Sequence, residues 1–214
     1  MKKEDVLVVL GTAHRMREPG KQSPDGRVKE CIYSREICKD IQAKLREYGC
    51  KVEIDYESLD LPKNMQSSNV SKERNKELAV RVNYVNELCR QNNASRVLYV
   101  SIHINAFGSD SQWHNANGWQ VCVSPNASKK SKMLADCLYD AAKTNGLKMR
   151  QPTPNQKYWS QSLYVLNNTN CPAVLTENLF QDNKGDVETL LSEEGRHAIE
   201  RLHVEGILNY IENL

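Results

Sequence analysis

Six short apolar runs separated by longer amphipathic stretches constrain the fold of this chain more than any other feature of its sequence. Strand-like runs occur at Val6 to Leu10, Lys51 to Asp55, Val97 to Ile104, Trp119 to Val123, Leu163 to Leu166 and Ala173 to Thr176. Helical periodicity fills most of the intervals. A first helix is expected from about Arg27 to Tyr48, ending at Gly49, and a second from about Lys72 to Gln91 with Leu78, Val82, Val85 and Cys89 on one face. A third is expected from about Ser128 to Asn145 with Gly146 as its stop, and a last from near Asp186 through Ile211. Strands that alternate with helices predict a single α/β domain over residues 1–214, with a mostly parallel central sheet flanked by helices on both faces.

Composition removes several function classes. The 29 basic and 27 acidic residues are interspersed and leave a net charge of +2, which argues against a dedicated nucleic-acid surface. No run approaches the roughly 20 apolar residues of a membrane span, and Met1 to Asp5 leads straight into a strand-like run with no export signal. Seven scattered cysteines without a C-x-x-C pair disfavour a disulfide framework and a cysteine-based zinc site.

Three of the strand-like runs end on residues able to bind or work with a metal: His14 after Val6 to Leu10, His103 after Val97 to Ile102, and Glu177 after Val174-Leu175. Ligands of open α/β sheets collect beyond the carboxyl ends of the strands, so these three residues form one candidate site. Glu30 joins them by angle. At about 100° per residue, Ile37 and Ile41 lie within about 20° of it, so a carboxylate opens the stripe that the core-facing isoleucines continue. Two readings of Glu30 stay open on angle alone. Either it is buried against a metal or a cation, or it is a half-exposed first-turn acid favoured by the helix dipole. His14 by itself reads more readily as an ordinary hydrogen-bonded loop residue than as a ligand. Zinc accepts imidazole nitrogen and carboxylate oxygen, and catalytic sites commonly use three protein ligands; His14, Glu30 and His103 complete such a set, which leaves Glu177 as the base. His197 and His203, six apart on one helix, point about 120° from each other and do not form a pair. His114 falls in a polar loop.

These residues and their surroundings resemble the zinc-dependent N-acetylmuramoyl-L-alanine amidases of the Amidase_3 type, enzymes that cut peptidoglycan between the lactyl group of muramic acid and the first L-alanine of the stem peptide. The resemblance runs nearly end to end. It rests on His14 after the first strand, Glu30 opening the first helix, S-I-H-I-N-A at Ser101 to Ala106, P-A-V-L-T-E at Pro172 to Glu177, and R-V-N-Y-V-N at Arg81 to Asn86. It implies one zinc ion held by His14, Glu30 and His103, a catalytic Glu177, peptidoglycan as partner, and a zinc-exopeptidase-like hydrolase architecture. Asn105 and Asn178 are candidate substrate contacts beside these groups. The chain departs from the family's pattern at His14-Arg15-Met16, where glycines are usual, and at Asn178-Leu179-Phe180.

Two alternatives use the same residues: a zinc carboxypeptidase-like enzyme trimming stem peptides, and a non-catalytic wall-binding module. No separate wall-binding domain is expected within the sequence. The lack of a visible export signal is consistent with a chain made in the cytoplasm. It would then act on the wall after release, as a phage-type lysin does, or after loss of a signal absent from this sequence.

Overall fold

The computed structural model describes residues 2–214. The strands are β1 (Leu7–Gly11), β2 (Lys51–Ile54), β3 (Val97–Asn105), β4 (Gln120–Val123), β5 (Trp159–Ser160) and β6 (Ala173–Phe180). The α-helices are α1 (Glu30–Glu47), α2 (Val70–Asn92), α3 (Lys129–Thr144), α4 (Tyr164–Asn168), α5 (Lys184–Leu191) and α6 (Glu193–Glu212). The strands form one sheet in the order β2-β1-β3-β6-β4-β5. The β2-β1-β3-β6 portion is parallel, as expected, whereas β4 pairs antiparallel with β6 and β5 pairs parallel with β4.

Strand parity divides the core. Val8, Leu10, Leu98, Val100 and Ile102 pack into the cluster that includes Ile37 and Ile41 of α1, Leu134 and Leu138 of α3, and Ile207 and Ile211 of α6. Leu7, Val9, Val97, Tyr99 and Leu175 face the other way, against Val82 and Val85 of α2 and Val165 and Leu166 of α4. Every residue of β1 is therefore buried, as a strand covered on both faces requires.

The boundaries of α1, α2 and α3 fall close to their sequence expectations, and α1 closes at Gly49, whose φ of +83° favours glycine. Two elements differ. The run from Leu163 to Leu166 is not a strand: Tyr164 to Asn168 form a short helix that buries Val165 and Leu166 against the α2 face. The last helical stretch is broken at Ser192, whose Oγ accepts from the Gly195 amide and starts α6 afresh. Among the described residues no helix is long and apolar enough to cross a membrane.

Candidate metal centre and its surroundings

The parallel strands bring the distant residues together. His103 and Glu177 are direct Cα partners across β3 and β6, and just beyond them the register shifts between His103 and Asn105. His14 lies in the loop after β1, and Glu30 is the first residue of α1.

Glu30 is 1 % exposed, which decides between the two readings of this residue in favour of burial with a partner. Its Oε1 lies 3.0 Å from His103 Nδ1 and accepts from the Ile104 amide at 3.1 Å. Its Oε2 lies 3.3 Å from His14 Nε2 yet has no partner with hydrogen-bond geometry among the described residues. The two imidazoles meet edge to face with centroids 5.0 Å apart, and one donor atom from each of His14, Glu30 and His103 falls within 4.8 Å of the others. Burial pushes the Glu30 carboxyl up, but the neighbouring histidines outweigh it and hold the group well below the usual range. Burial lowers His103 despite the opposing pull of Glu30. An ionised carboxylate and a neutral imidazole are the protonation states that a metal requires of its ligands. The orphaned buried oxygen and the nitrogen-oxygen donor set fit a zinc ion.

Glu177 is partly buried, and its Oε2 is out of reach of solvent with no hydrogen-bond partner among the described residues. Burial first, and then the negative charge of Glu30, push its carboxyl up to about 8, with Lys21 opposing. A carboxyl tuned towards neutrality exchanges a proton readily at physiological pH.

A cavity of about 260 Å³ opens at this place, with His14, His103, Lys21, Glu77, Arg81 and Tyr164 among its lining residues. A larger groove of about 840 Å³ lies by the amino ends of β3 and β6, beside Ser128 and Pro172, and holds none of these groups. The histidines that line it make the smaller cavity the candidate site.

The two asparagines part company. Asn105 is half-buried and its Oδ1 accepts from the Ala106 amide, leaving its Nδ2 without a protein partner among the described residues. Asn178 is 0 % exposed. Its Nδ2 donates to the His103 carbonyl and to Thr176 Oγ1, and its Oδ1 accepts from Trp119 Nε1. Asn178 thus braces the backbone of β3 against β6 instead of facing a substrate, which corrects the sequence expectation. The brace continues inward: Thr176 Oγ1 lies 2.9 Å from Nε2 of the buried His203, whose Nδ1 lies 2.7 Å from the Ile199 carbonyl. Burial lowers His203 to about 4. His203 is therefore a neutral structural residue, with its Nδ1 proton donated to the carbonyl and its Nε2 accepting from the threonine.

Two groups at the site escaped sequence reasoning. Lys21 Nζ lies 3.9 Å from Glu30 Oε2, and nothing distinguishes this lysine from any other loop cation in the sequence. The second is a buried ionic cluster. Arg81 binds Asp55 Oδ1 and Glu77 Oε1, each at 2.8 Å, and reaches the His14 carbonyl at 3.3 Å. The R-V-N-Y-V-N stretch pointed to this helix without pointing to that contact.

An α/β sheet that gathers two histidines and a buried carboxylate beside a second carboxyl of raised pKa has the composition of a metal-dependent hydrolase. Comparison with known proteins narrows the class. The chain belongs to the N-acetylmuramoyl-L-alanine amidase family (Amidase_3), which matches residues 8–209. It is 35 % identical over 119 residues to an endolysin of Bacillus phage SPP1, a match covering 55 % of this chain and 42 % of that protein. The alignment thus spans about two fifths of that relative's length. The fold resembles the CwlD amidase of Clostridioides difficile, solved in complex with the GerS lipoprotein, with a TM-score of 0.79, 22 % identity and coverage of 98 % of this chain and 100 % of that one. It also resembles the catalytic domain of CwlV from Bacillus (Paenibacillus) polymyxa var. colistinus, with a TM-score of 0.73, 19 % identity and coverage of 97 % and 98 %.

Proposed function

We propose that this chain hydrolyses the amide bond between the lactyl group of N-acetylmuramic acid and the L-alanine of the peptidoglycan stem peptide, with one zinc ion held by His14, Glu30 and His103. The observation that carries this reading is the buried His14-Glu30-His103 donor set next to the partnerless carboxyl oxygen of Glu177, in a chain matched by the amidase family over residues 8–209.

When bound, zinc supplies Lewis-acid polarisation of the scissile carbonyl and acidifies water at the site. Glu177, poised near neutrality, takes the proton of the attacking water and returns it to the departing alanine nitrogen. Glu30 spans both histidines and fixes their separation. Asn178 holds the His103 backbone in place, and the free Nδ2 of Asn105 is available to a substrate carbonyl or hydroxyl at the rim. The setting we propose is the bacterial cell wall, reached after the chain leaves the cytoplasm. The endolysin relative supports release in the manner of a phage lysin.

Purified peptidoglycan tests the reaction. The zinc-loaded protein should release stem peptides with free L-alanine amino termini and leave peptide-free glycan strands, both read by mass spectrometry. Loss of a terminal amino acid from the stem would instead make it a carboxypeptidase. Glu177→Gln should still bind zinc while hydrolysis falls by about 10²- to 10⁴-fold, the usual contribution of a general acid-base group.

A further inference from the structure

We propose that Arg15 is a positioning residue for the metal ligand His14, holding the loop after β1 in the one backbone conformation that directs this imidazole at Glu30 and His103. The inference rests on the zinc site proposed above and goes on to say what pre-forms it.

His14 adopts a φ of +44°, in the left-handed region that residues with a side chain seldom occupy. A metal-bound histidine is ordinarily oriented by a hydrogen bond to its second ring nitrogen. Among the described residues no hydrogen bond is made to His14 Nδ1, while its Nε2 lies 3.3 Å from Glu30 Oε2. The orientation therefore has to come through the main chain, and three arginines act there. Arg35 Nη2 donates to the His14 carbonyl at 2.9 Å and Arg81 Nη2 donates to the same oxygen at 3.3 Å.

Arg15 supplies the third restraint from the next residue along. It is 2 % exposed. Its Nε donates to Glu73 Oε1 at 2.9 Å, its Nη1 to Glu18 and to Glu77 Oε2, and its Nη2 to the Val70 carbonyl. Glu73, Glu77 and Val70 all belong to the first two turns of α2, and Glu18 is itself bound by Arg74 of that helix. The guanidinium thus fastens the residue after His14 to the same helix whose Arg81 grips the His14 carbonyl. A planar fork with several donors holds such a geometry where a flexible ammonium would not. An arginine buried among three carboxylates for stability alone would have no need to sit beside a strained residue. Here its position places the restraint one peptide from the ligand.

The test compares zinc affinity with fold stability. Removing Arg15 alone would strand buried carboxylates, so the variant is Arg15→Met combined with Glu18→Gln, which removes one charge of each sign. Zinc affinity is measured by competition with a chromophoric chelator, and the metal-free fold by circular dichroism. The expected result is a folded metal-free protein that binds zinc about 10- to 100-fold more weakly than wild type, the loss typical when the support of a ligand is removed. An affinity within threefold of wild type in a folded variant would overturn the proposal and reduce Arg15 to a stabilising contact. If the double variant does not fold, Arg15→Lys, which keeps the charge and loses the fork, is measured in its place. There a severalfold weakening supports the proposal and an unchanged affinity rejects it. Failure of the wild-type protein to bind zinc at all would instead remove the metal site, and the role of Arg15 with it.

Discussion

Two titratable residues, the buried His203 and the partly buried Glu177, have opposite effects on stability as pH changes. His203 falls from 6.5 to about 4 in the fold, so between those values the unfolded chain binds the extra proton. Its contribution is fully present above 6.5 and is lost as pH falls towards 4, a loss of about 3 kcal/mol. Acid unfolding of wild type should show that slope, and His203→Gln should lack it. Glu177 works the other way, because its folded value rises from 4.5 to about 8. The fold favours its protonated form; that contribution is complete below 4.5 and is lost as pH rises through 8. In the metal-free protein, Glu177→Gln should therefore raise the thermal midpoint at pH 9 and leave it nearly unchanged at pH 4. A gain on the order of 3 kcal/mol allows for the partial exposure of the side chain. A midpoint at pH 9 equal to that of wild type would mean the carboxylate already has a partner. At this scale the sequence was informative about Glu30, because one residue's angle on a helix can be read from spacing alone. It was uninformative about Asn178, whose three hydrogen-bond partners, Thr176, His103 and Trp119, include two far away in the chain.

Among the elements, the strands buried on both faces were legible because β-branched runs bounded by polar residues have few other uses. The run at Leu163 to Leu166 misleads for a physical reason: four apolar residues carry too little periodicity to separate a strand from a buried helical turn. Packing of Val165 and Leu166 against α2 decides for the helix. The antiparallel direction of β4 was equally invisible, since direction is a property of the pairing with β6 and leaves no trace in the residues of β4. The α3-α6 contact supplies a test at this scale. A Cβ on Gly206 would come 2.9 Å from the Leu138 Cα, so the helices meet there through the absence of a side chain. Gly206→Ala should cost about 1 to 3 kcal/mol in urea unfolding, because the backbone of α3 has to move. The N-cap at Ser192 is a milder case, and Ser192→Ala should cost about 1 kcal/mol by the same measurement.

For the molecule as a whole, metal binding and folding should be linked. A ligand that binds only the folded state at a hundred times its dissociation constant adds about 2.7 kcal/mol of stability. Zinc should therefore raise the thermal midpoint of wild type relative to chelator-treated protein, and His103→Ala should lose that rise. An equal rise in the variant would place the zinc elsewhere. What the sequence determined by itself was local in origin: the strand and helix periods, the placement of His14, His103 and Glu177 after apolar runs, and the helical angle that Glu30 shares with Ile37 and Ile41. Only the tertiary structure decided that His14 and His103 meet at the orphaned Glu30 oxygen, that Asn178 faces inward, that Arg81 reaches the His14 carbonyl from α2, and that Arg15 ties the His14 segment back to that helix. The division has one physical cause. Periodicity records how each residue stands relative to its own element, whereas a site is made by contacts across 16 to 147 positions of chain, from His14 to Glu30 and from Glu30 to Glu177, which form only when the parallel sheet sets its strand ends side by side.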